Sequence, residues 1–298
     1  MSVKMAKALL KLFKVSPSGY AAEHTVEELG KRAGIEYDDE KKSGFLGHFD
    51  DSGQMIQEKN LLDIGSGYGG RTVRYAELGA KSAIGVEISY TISKIGADFA
   101  SKKSANAYFV TSVGEQLPFK DETFDIITSY DVLEHVQNPR LTLTECFRVL
   151  KYGGRMMVIF PPYYSPLGSH LSGYISLLPY ANLIFPPKIL MTAIDQLLEE
   201  EGTGYRPMAL RPGDKIYTLN GLTVRSFMRI ARTCGFSFKR IHFQPLVLPR
   251  FSIGAVKDIF IFGLKIAGLP LSILSFLLCG LPGFREILAA KIVCVLKK

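Results

Sequence analysis

Four cysteines in 298 residues, at positions 146, 234, 279 and 294, are too few and too scattered to staple the chain. None has the spacing of a disulfide framework or of a metal-ligand set, so they read as small core residues of a reducing compartment. Long basic tracts are also missing. No run of Lys or Arg exceeds two residues, although the net charge is +8 and the pI about 9.2. Nucleic acid is therefore not the expected partner, and the excess charge serves either solubility or an anionic membrane surface. A third absence is a charge-free stretch that must cross a bilayer, which takes about 20 apolar residues. The nearest, residues 259–283, is interrupted by Lys265 and Pro270. The opening MSVKMAKALLKLFKV resembles a secretory leader only superficially, because lysines at 4, 7, 11 and 14 recur through its apolar part. That period makes a helix with one basic and one apolar face, either a cap packed on the domain or a membrane-surface anchor.

What is present is enough chain to bury a sizeable core, as one large α/β domain with insertions or as two small ones. It is organised around LLDIGSGYGG, Leu61 to Gly70. The stretch reads as a buried strand ending in an acid, a glycine turn, and a helix that begins near Gly69. Glycines at 65, 67, 69 and 70 let the backbone approach a ligand, and the helix start offers free N–H groups. By spacing, Gly65-x-Gly67-x-x-Gly70 with Glu87 further on also satisfies the dinucleotide fingerprint. Asp63 weighs against that reading, since its charge would repel a pyrophosphate and suits a cationic or zwitterionic ligand.

From residue 60 onward, strands and helices alternate, which predicts a parallel doubly wound sheet. Strands are expected near 60–64, 82–87, 106–110, 124–129, 154–160 and 236–243, with a last one in KIVCVLKK. Helices are expected near 69–79, 90–103, 139–150 and Thr223 to Cys234. Residues 16–59 read as short helices forming a lid, with His48 and Phe49 as lining candidates. Two apolar insertions interrupt the core. The aromatic, proline-broken 161–220 follows the fifth strand and is assigned as a substrate lid, and 246–286 forms a helical hairpin between the last two strands. Ligands in such sheets bind beyond the carboxyl ends of the strands, so both insertions converge on the rim of the site. Hydrophobic surface there must be hidden by self-packing, a dimer, a lipophilic substrate or a membrane.

The glycine stretch, GVEIS (85–89), GEQLPFKDETFDIITSYDVLEHVQNP (114–139) and FRVLKYGGRMMVIFPP (147–162) together resemble the class I S-adenosylmethionine-dependent methyltransferases, and among them the ubiquinone and menaquinone biosynthesis branch. The resemblance implies a seven-stranded Rossmann-like doubly wound sheet with an antiparallel last strand, in which residues 60–160, 221–245 and 287–298 form the core and 1–59 a cap. It implies S-adenosyl-L-methionine as cofactor, held by Asp63, Gly65, Ser66, Gly67, Glu87, Ile88, Val113, Gly114, Glu115 and Tyr130. Glu87 would take the two ribose hydroxyls, and Asp63 would orient the turn and the ligand's ammonium. Relatives carry Gly-Asp-Ala-Glu after the third strand. Here Ser112-Val113-Gly114-Glu115 stands in its place, so adenine must rely on backbone amides and apolar contact.

After the fourth strand, DVLEHV puts Asp131, Glu134 and His135 on one helical turn, either as the floor of the pocket or as a divalent-metal site that would acidify a phenolic hydroxyl. Tyr163, Tyr164 and Glu134 are candidate substrate contacts. His135 and His170 are the candidate bases, and His242 reads as part of a strand core. The expected activity is methyl transfer to a lipophilic small molecule or lipid near a membrane, with peripheral contact through 1–15 and 251–285 and a cytoplasmic location. The rivals are an NAD-type oxidoreductase and a fold member that binds without catalysing.

Overall fold

The computed structural model describes residues 2–12, 26–49, 54–165, 168, 180–200, 219–245 and 273–298. Seven strands, β1 (Asn60–Ile64), β2 (Ser82–Glu87), β3 (Ala107–Thr111), β4 (Phe124–Tyr130), β5 (Leu150–Phe160), β6 (Ser237–Pro245) and β7 (Ala289–Lys297), form one sheet in the order β3-β2-β1-β4-β5-β7-β6. The strands pair in parallel except β7, which runs antiparallel to both neighbours. The chain order reverses between β1 and β4, so a crevice opens beyond their carboxyl ends.

Helices are α1 (Val3–Leu12), α2 (Val26–Ser43), α3 (Gly70–Glu77), α4 (Tyr90–Lys103), α5 (Pro139–Val149), α6 (Ala181–Ile184), α7 (Pro187–Glu200), α8 (Val224–Thr233) and α9 (Arg285–Leu288), and short 3-10 turns cover Phe45–Phe49 and Gln54–Ile56. Alternation along β1 sends Leu62 and Ile64 into one core with Leu143, Cys146 and Phe227, and Leu61 into the other with Phe45, Val73 and Ile126. Asp63, on the same side as Leu61, thereby faces α3. Helix starts follow their caps. Asn138 accepts from the N–H groups of Arg140 and Leu141, with Pro139 in the first helical position, and Thr223 with Ser226 closes a capping box on α8. All four cysteines are free.

Arg148 explains a block that sequence alone left as wording. Its guanidinium donates to the carbonyls of Phe119 (2.7 Å) and Leu117 (3.0 Å), to Asp121 (2.8 Å) and to both oxygens of Glu145 (2.8 Å each), while Glu145 also accepts from the Leu117 N–H at 2.8 Å. The QLPFKDETF connection is thus fastened to α5, which positions the residues just after β3.

Two expectations change. The fifth strand starts at Leu150 rather than 154, because Leu150 pairs with Phe124 ahead of an irregularity in register. The proline-broken insertion contains α7, for which Pro187 is a starter and not a breaker. Of the two readings of the basic N-terminal helix, the packing fits the cap: Ala6 and Leu10 are buried against Phe185, Leu190, Ile194 and Leu197, and Lys7 and Lys11 pair with Glu200. No helix among the described residues is long and apolar enough to cross a membrane. Residues 246–272 of the expected hairpin lie outside the described residues.

Candidate functional site

The turn after β1 is clipped to β2 by the N–H groups of Gly65 and Ser66, which donate to the Val86 carbonyl at 2.8 and 3.0 Å. Gly65 has φ +66° and Gly67 φ +56°, a region that L side chains rarely adopt. A Cβ at 65 would stand 2.3 Å from Val132 Cγ2, and one at 67 would stand 2.8 Å from Glu36 Oε1. Ser66 Oγ is buried with no hydrogen-bond partner among the described residues. The result is a main-chain cradle that any side chain would fill.

Asp63 is fully buried, and both carboxylate oxygens are used inside the protein, one by Thr72 Oγ1 at 2.7 Å and the other by Thr128 Oγ1 at 2.9 Å. Of its two expected tasks, orienting the turn is the one these bonds perform. The ammonium task meets a carboxylate that faces away into the core. Burial raises its pKa, and Arg71 and the two hydroxyls counter that rise.

Glu87 closes β2 with its carboxylate beside the turn, accepting from the N–H of Gly67 at 3.2 Å and of Ser89 at 3.1 Å. Burial again raises its pKa. The next residue, Ile88, is 58 % exposed, and Val113 across the crevice is 39 % exposed. These are two apolar side chains left open at the carboxyl edge of β2 and β3. Beyond them, Glu115 accepts from the Asn138 N–H at 3.1 Å, and a Cβ on Gly114 would crowd Thr142.

A residue that sequence reasoning missed stands on the other side of the turn. Glu36, from α2, accepts from the N–H groups of Tyr68 and Gly70, both at 3.2 Å. The start of α3 is therefore already capped by a carboxylate, where a pyrophosphate would need to bind. Glu40 lies one turn along α2, 3.7 Å from Arg71, whose guanidinium stacks 4.7 Å from the centre of the Tyr130 ring. Burial pushes the Glu36 carboxyl up to about 7 and raises Glu40 as well, while burial opposes the Arg71 charge and Tyr75, Asp63, Glu36 and Glu40 more than restore it. Four carboxylates and one guanidinium thus surround the glycine turn. Only the acidic spacing within IEYDDE could have flagged Glu36, and nothing in it tells which acid turns inward.

At the end of β4 the backbone passes through a left-handed residue. Asp131 sits at φ +55°, unusual for a residue with a side chain. Its Oδ2 pairs with Lys291 Nζ at 2.6 Å, and the same ammonium lies 3.1 Å from the Tyr130 hydroxyl. Lys291 was read only as part of a strand, although β7 begins at the carboxyl end of the parallel strands. Asp131 and Tyr130 raise its pKa against the opposing effect of burial. Glu134 is buried, and its carboxyl is pushed up to about 8 by that burial and by Asp131. His135, more exposed, holds Nε2 4.0 Å from Glu134 Oε1. His48 pairs with Gln244 at 2.7 Å, and Phe49 is core and not lining. Tyr163 and Tyr164 meet edge to face at 5.2 Å. His170 lies outside the described residues. No group of three or more His, Cys, Asp or Glu among the described residues is arranged to hold a metal ion.

Comparisons with known proteins point to the same segment of the chain. Residues 62–158 match the family described as "Methyltransferase domain". The chain is 31 % identical over 134 residues to the uncharacterized methyltransferase YcgJ of Bacillus subtilis, covering 43 % of this chain and 52 % of that protein. It is 34 % identical over 122 residues to the ubiquinone/menaquinone biosynthesis C-methyltransferase UbiE of Vibrio vulnificus, covering 39 % of this chain and 47 % of that protein. The chain thus spans about half the length of the curated relatives it matches. Among solved structures, the putative methyltransferase bound to the Haloferax volcanii Trm112 activator superposes with a TM-score of 0.52 at 13 % identity over 91 % of this chain and 97 % of that one. An S-adenosylmethionine-dependent methyltransferase from Mesorhizobium loti gives 0.51 at 14 % identity, over 82 % and 93 %. These two likenesses speak for the fold. With the glycine cradle and the strand order on the same segment, residues 62–158 are similar to a methyltransferase domain and lie on a seven-stranded Rossmann-like sheet.

Proposed function

We propose that the chain is an S-adenosylmethionine-dependent methyltransferase that acts on a lipophilic small molecule or lipid presented at a membrane surface. The observation that carries the first half is the cradle itself. Gly65 and Gly67 leave main chain bare, Glu87 lies against it with a carboxylate for the ribose diol, and Ile88 and Val113 offer apolar faces for adenine. The capped start of α3 and the surrounding carboxylates oppose a pyrophosphate and disfavour the dinucleotide reading.

The bound cofactor would supply a methyl group on a cationic sulfur, already a good electrophile. The protein's part is placement, since holding two reactants in line is worth roughly 7–11 kcal/mol. Asp63, Thr72 and Thr128 fix the turn, and Glu87 fixes the sugar. An acceptor entering from the insertions would meet Tyr130, Asp131 and Lys291 at the end of the sheet, with His135 beside buried Glu134 as the described histidine suited to take a proton. Binding of S-adenosylhomocysteine, but not NAD, by isothermal titration tests this half.

The second half rests on apolar side chains that face outward near the end of the second insertion. In residues 273–278 and the turn after them, Ser275 and Cys279 face inward, where Ser275 donates to the Leu288 carbonyl and Cys279 packs on Phe243. Ile273, Leu274, Phe276 and Leu277 face outward, Phe276 at 73 % exposure, and Leu281, Phe284 and Ile287 continue the surface. Tyr180 donates to the Ile287 carbonyl at 2.9 Å and brings exposed Leu183 and Ile184 of the first insertion alongside. A contiguous apolar surface at the cofactor end of the sheet suits a lipid face. Co-sedimentation of the full chain with phosphatidylcholine and phosphatidylglycerol vesicles tests it.

A further inference from the structure

The proposal concerns what α2 does for the cofactor, and it rests on the methyltransferase reading. Gly67 stands between two carboxylates. Glu87 receives its N–H from the sheet side, and Glu36 Oε1 stands 2.8 Å from the point a Cβ would occupy on the lid side. The two are not equivalent. Glu87 ends β2 beside the ribose position, whereas Glu36 lies toward α3, over the stretch from Gly67 to Gly70. Asp63, the acid assigned to an ammonium by family resemblance, has spent both oxygens on Thr72 and Thr128. Glu40 is committed elsewhere, accepting from the N–H groups of Phe45 and Leu46 at 2.7 and 3.1 Å. Glu36 accepts one N–H per oxygen and keeps lone pairs on each.

We infer that Glu36, carried by α2, is a cofactor-binding residue that receives the ammonium of the amino-acid end of S-adenosylmethionine. The geometry supports this: Glu36 and Glu87 flank Gly67 from opposite sides, and each accepts only two main-chain N–H groups, which leaves acceptor capacity that a cation would use. The lid also cannot supply Glu36 by accident of a loose contact. At Gly70 a Cβ would lie 2.0 Å from the Ala33 carbonyl, so the two helices touch main chain to main chain, and Leu29 and Ala33 pack with Ile95 of α4.

A purely structural Glu36, one that only caps α3, makes a different forecast, and two ligands separate them. S-adenosylhomocysteine carries the amino-acid end, and 5′-methylthioadenosine lacks it while keeping the nucleoside and the sulfur. Titrated into the full-length Glu36→Gln variant, S-adenosylhomocysteine is expected to bind at least tenfold more weakly than to the parent, while 5′-methylthioadenosine changes by less than twofold. A parallel loss of both would overturn the proposal in favour of a cap, and no loss of either would overturn it outright. Should Glu36→Gln not fold, the parent protein still decides: S-adenosylhomocysteine must bind at least tenfold better than its analogue lacking only the α-amino group, and equal affinities would contradict the inference. If the parent binds none of these ligands, the methyltransferase reading fails first, which is a distinguishable result.

Discussion

Gly65 and Glu134 are the two positions where a single atom decides most. A methyl group at 65 would be forced into φ +66° and driven within 2.3 Å of Val132. Strain of this kind costs about 1–3 kcal/mol before any clash is counted. Gly65→Ala is therefore expected to lower the melting temperature and abolish S-adenosylhomocysteine binding, read by thermal shift with and without ligand. Glu134 makes a prediction of opposite sign. Its folded-state pKa is raised from 4.5 to about 8, so the folded protein holds a proton that the unfolded chain releases. Stability contributed by that proton is present at low pH and is lost as pH rises from about 4.5 through 8. Urea melts of Glu134→Gln should lose less stability than the parent between pH 5 and pH 8; identical slopes would show that the carboxyl is not so placed.

The same residue scale shows where the sequence stops speaking. Asp63, the glycines and Glu87 are legible because a strand end, a tight turn and a second strand end occur at fixed spacing, and topology brings their carboxyl ends together. Glu36 and Lys291 are not legible, because each reaches the site across a long interval of chain: one acid among four in IEYDDE, one lysine opening a strand read only for its apolar pattern. Their positions come from how α2 and β7 pack, and local sequence does not encode that packing.

Among the elements, α5 carries its neighbourhood through one side chain. Arg148 uses its guanidinium on two carbonyls and two carboxylates, and hydrogen bonds to charged groups are worth about 1.5–3 kcal/mol each, without simple additivity. Arg148→Met is expected to destabilise by about 2–4 kcal/mol in chemical denaturation. Arg148→Lys should recover little, because a single ammonium cannot replace a fork. The α1 and α7 pair behaves as a separate small core. Leu10→Ala there should cost about 2–3 kcal/mol of local stability, seen as faster hydrogen exchange in α1 and α7 with the sheet unaffected. The sequence announced the amphipathic character of α1 but not its partner, since α7 was hidden behind a proline that begins a helix as readily as it ends one.

For the whole molecule, the described ends of both insertions leave the sheet at the carboxyl ends of β5 and β6, where the cofactor crevice also opens, as the shared direction of those two strands requires. The membrane reading belongs to this scale and stands on Phe276, Leu277 and their neighbours, not on the basic N-terminal helix. Replacing Phe276 and Leu277 with Asp should abolish vesicle co-sedimentation while leaving S-adenosylhomocysteine affinity intact. Unchanged pelleting would remove that surface from the account. The direct trial of the central claim is an isothermal titration of the full chain with S-adenosylhomocysteine and, separately, with NAD, repeated on Glu87→Ala. One equivalent of S-adenosylhomocysteine bound, at least tenfold weaker in the variant, with no heat from NAD, is the expected result; saturable binding of NAD, or S-adenosylhomocysteine binding indifferent to Glu87, would contradict it.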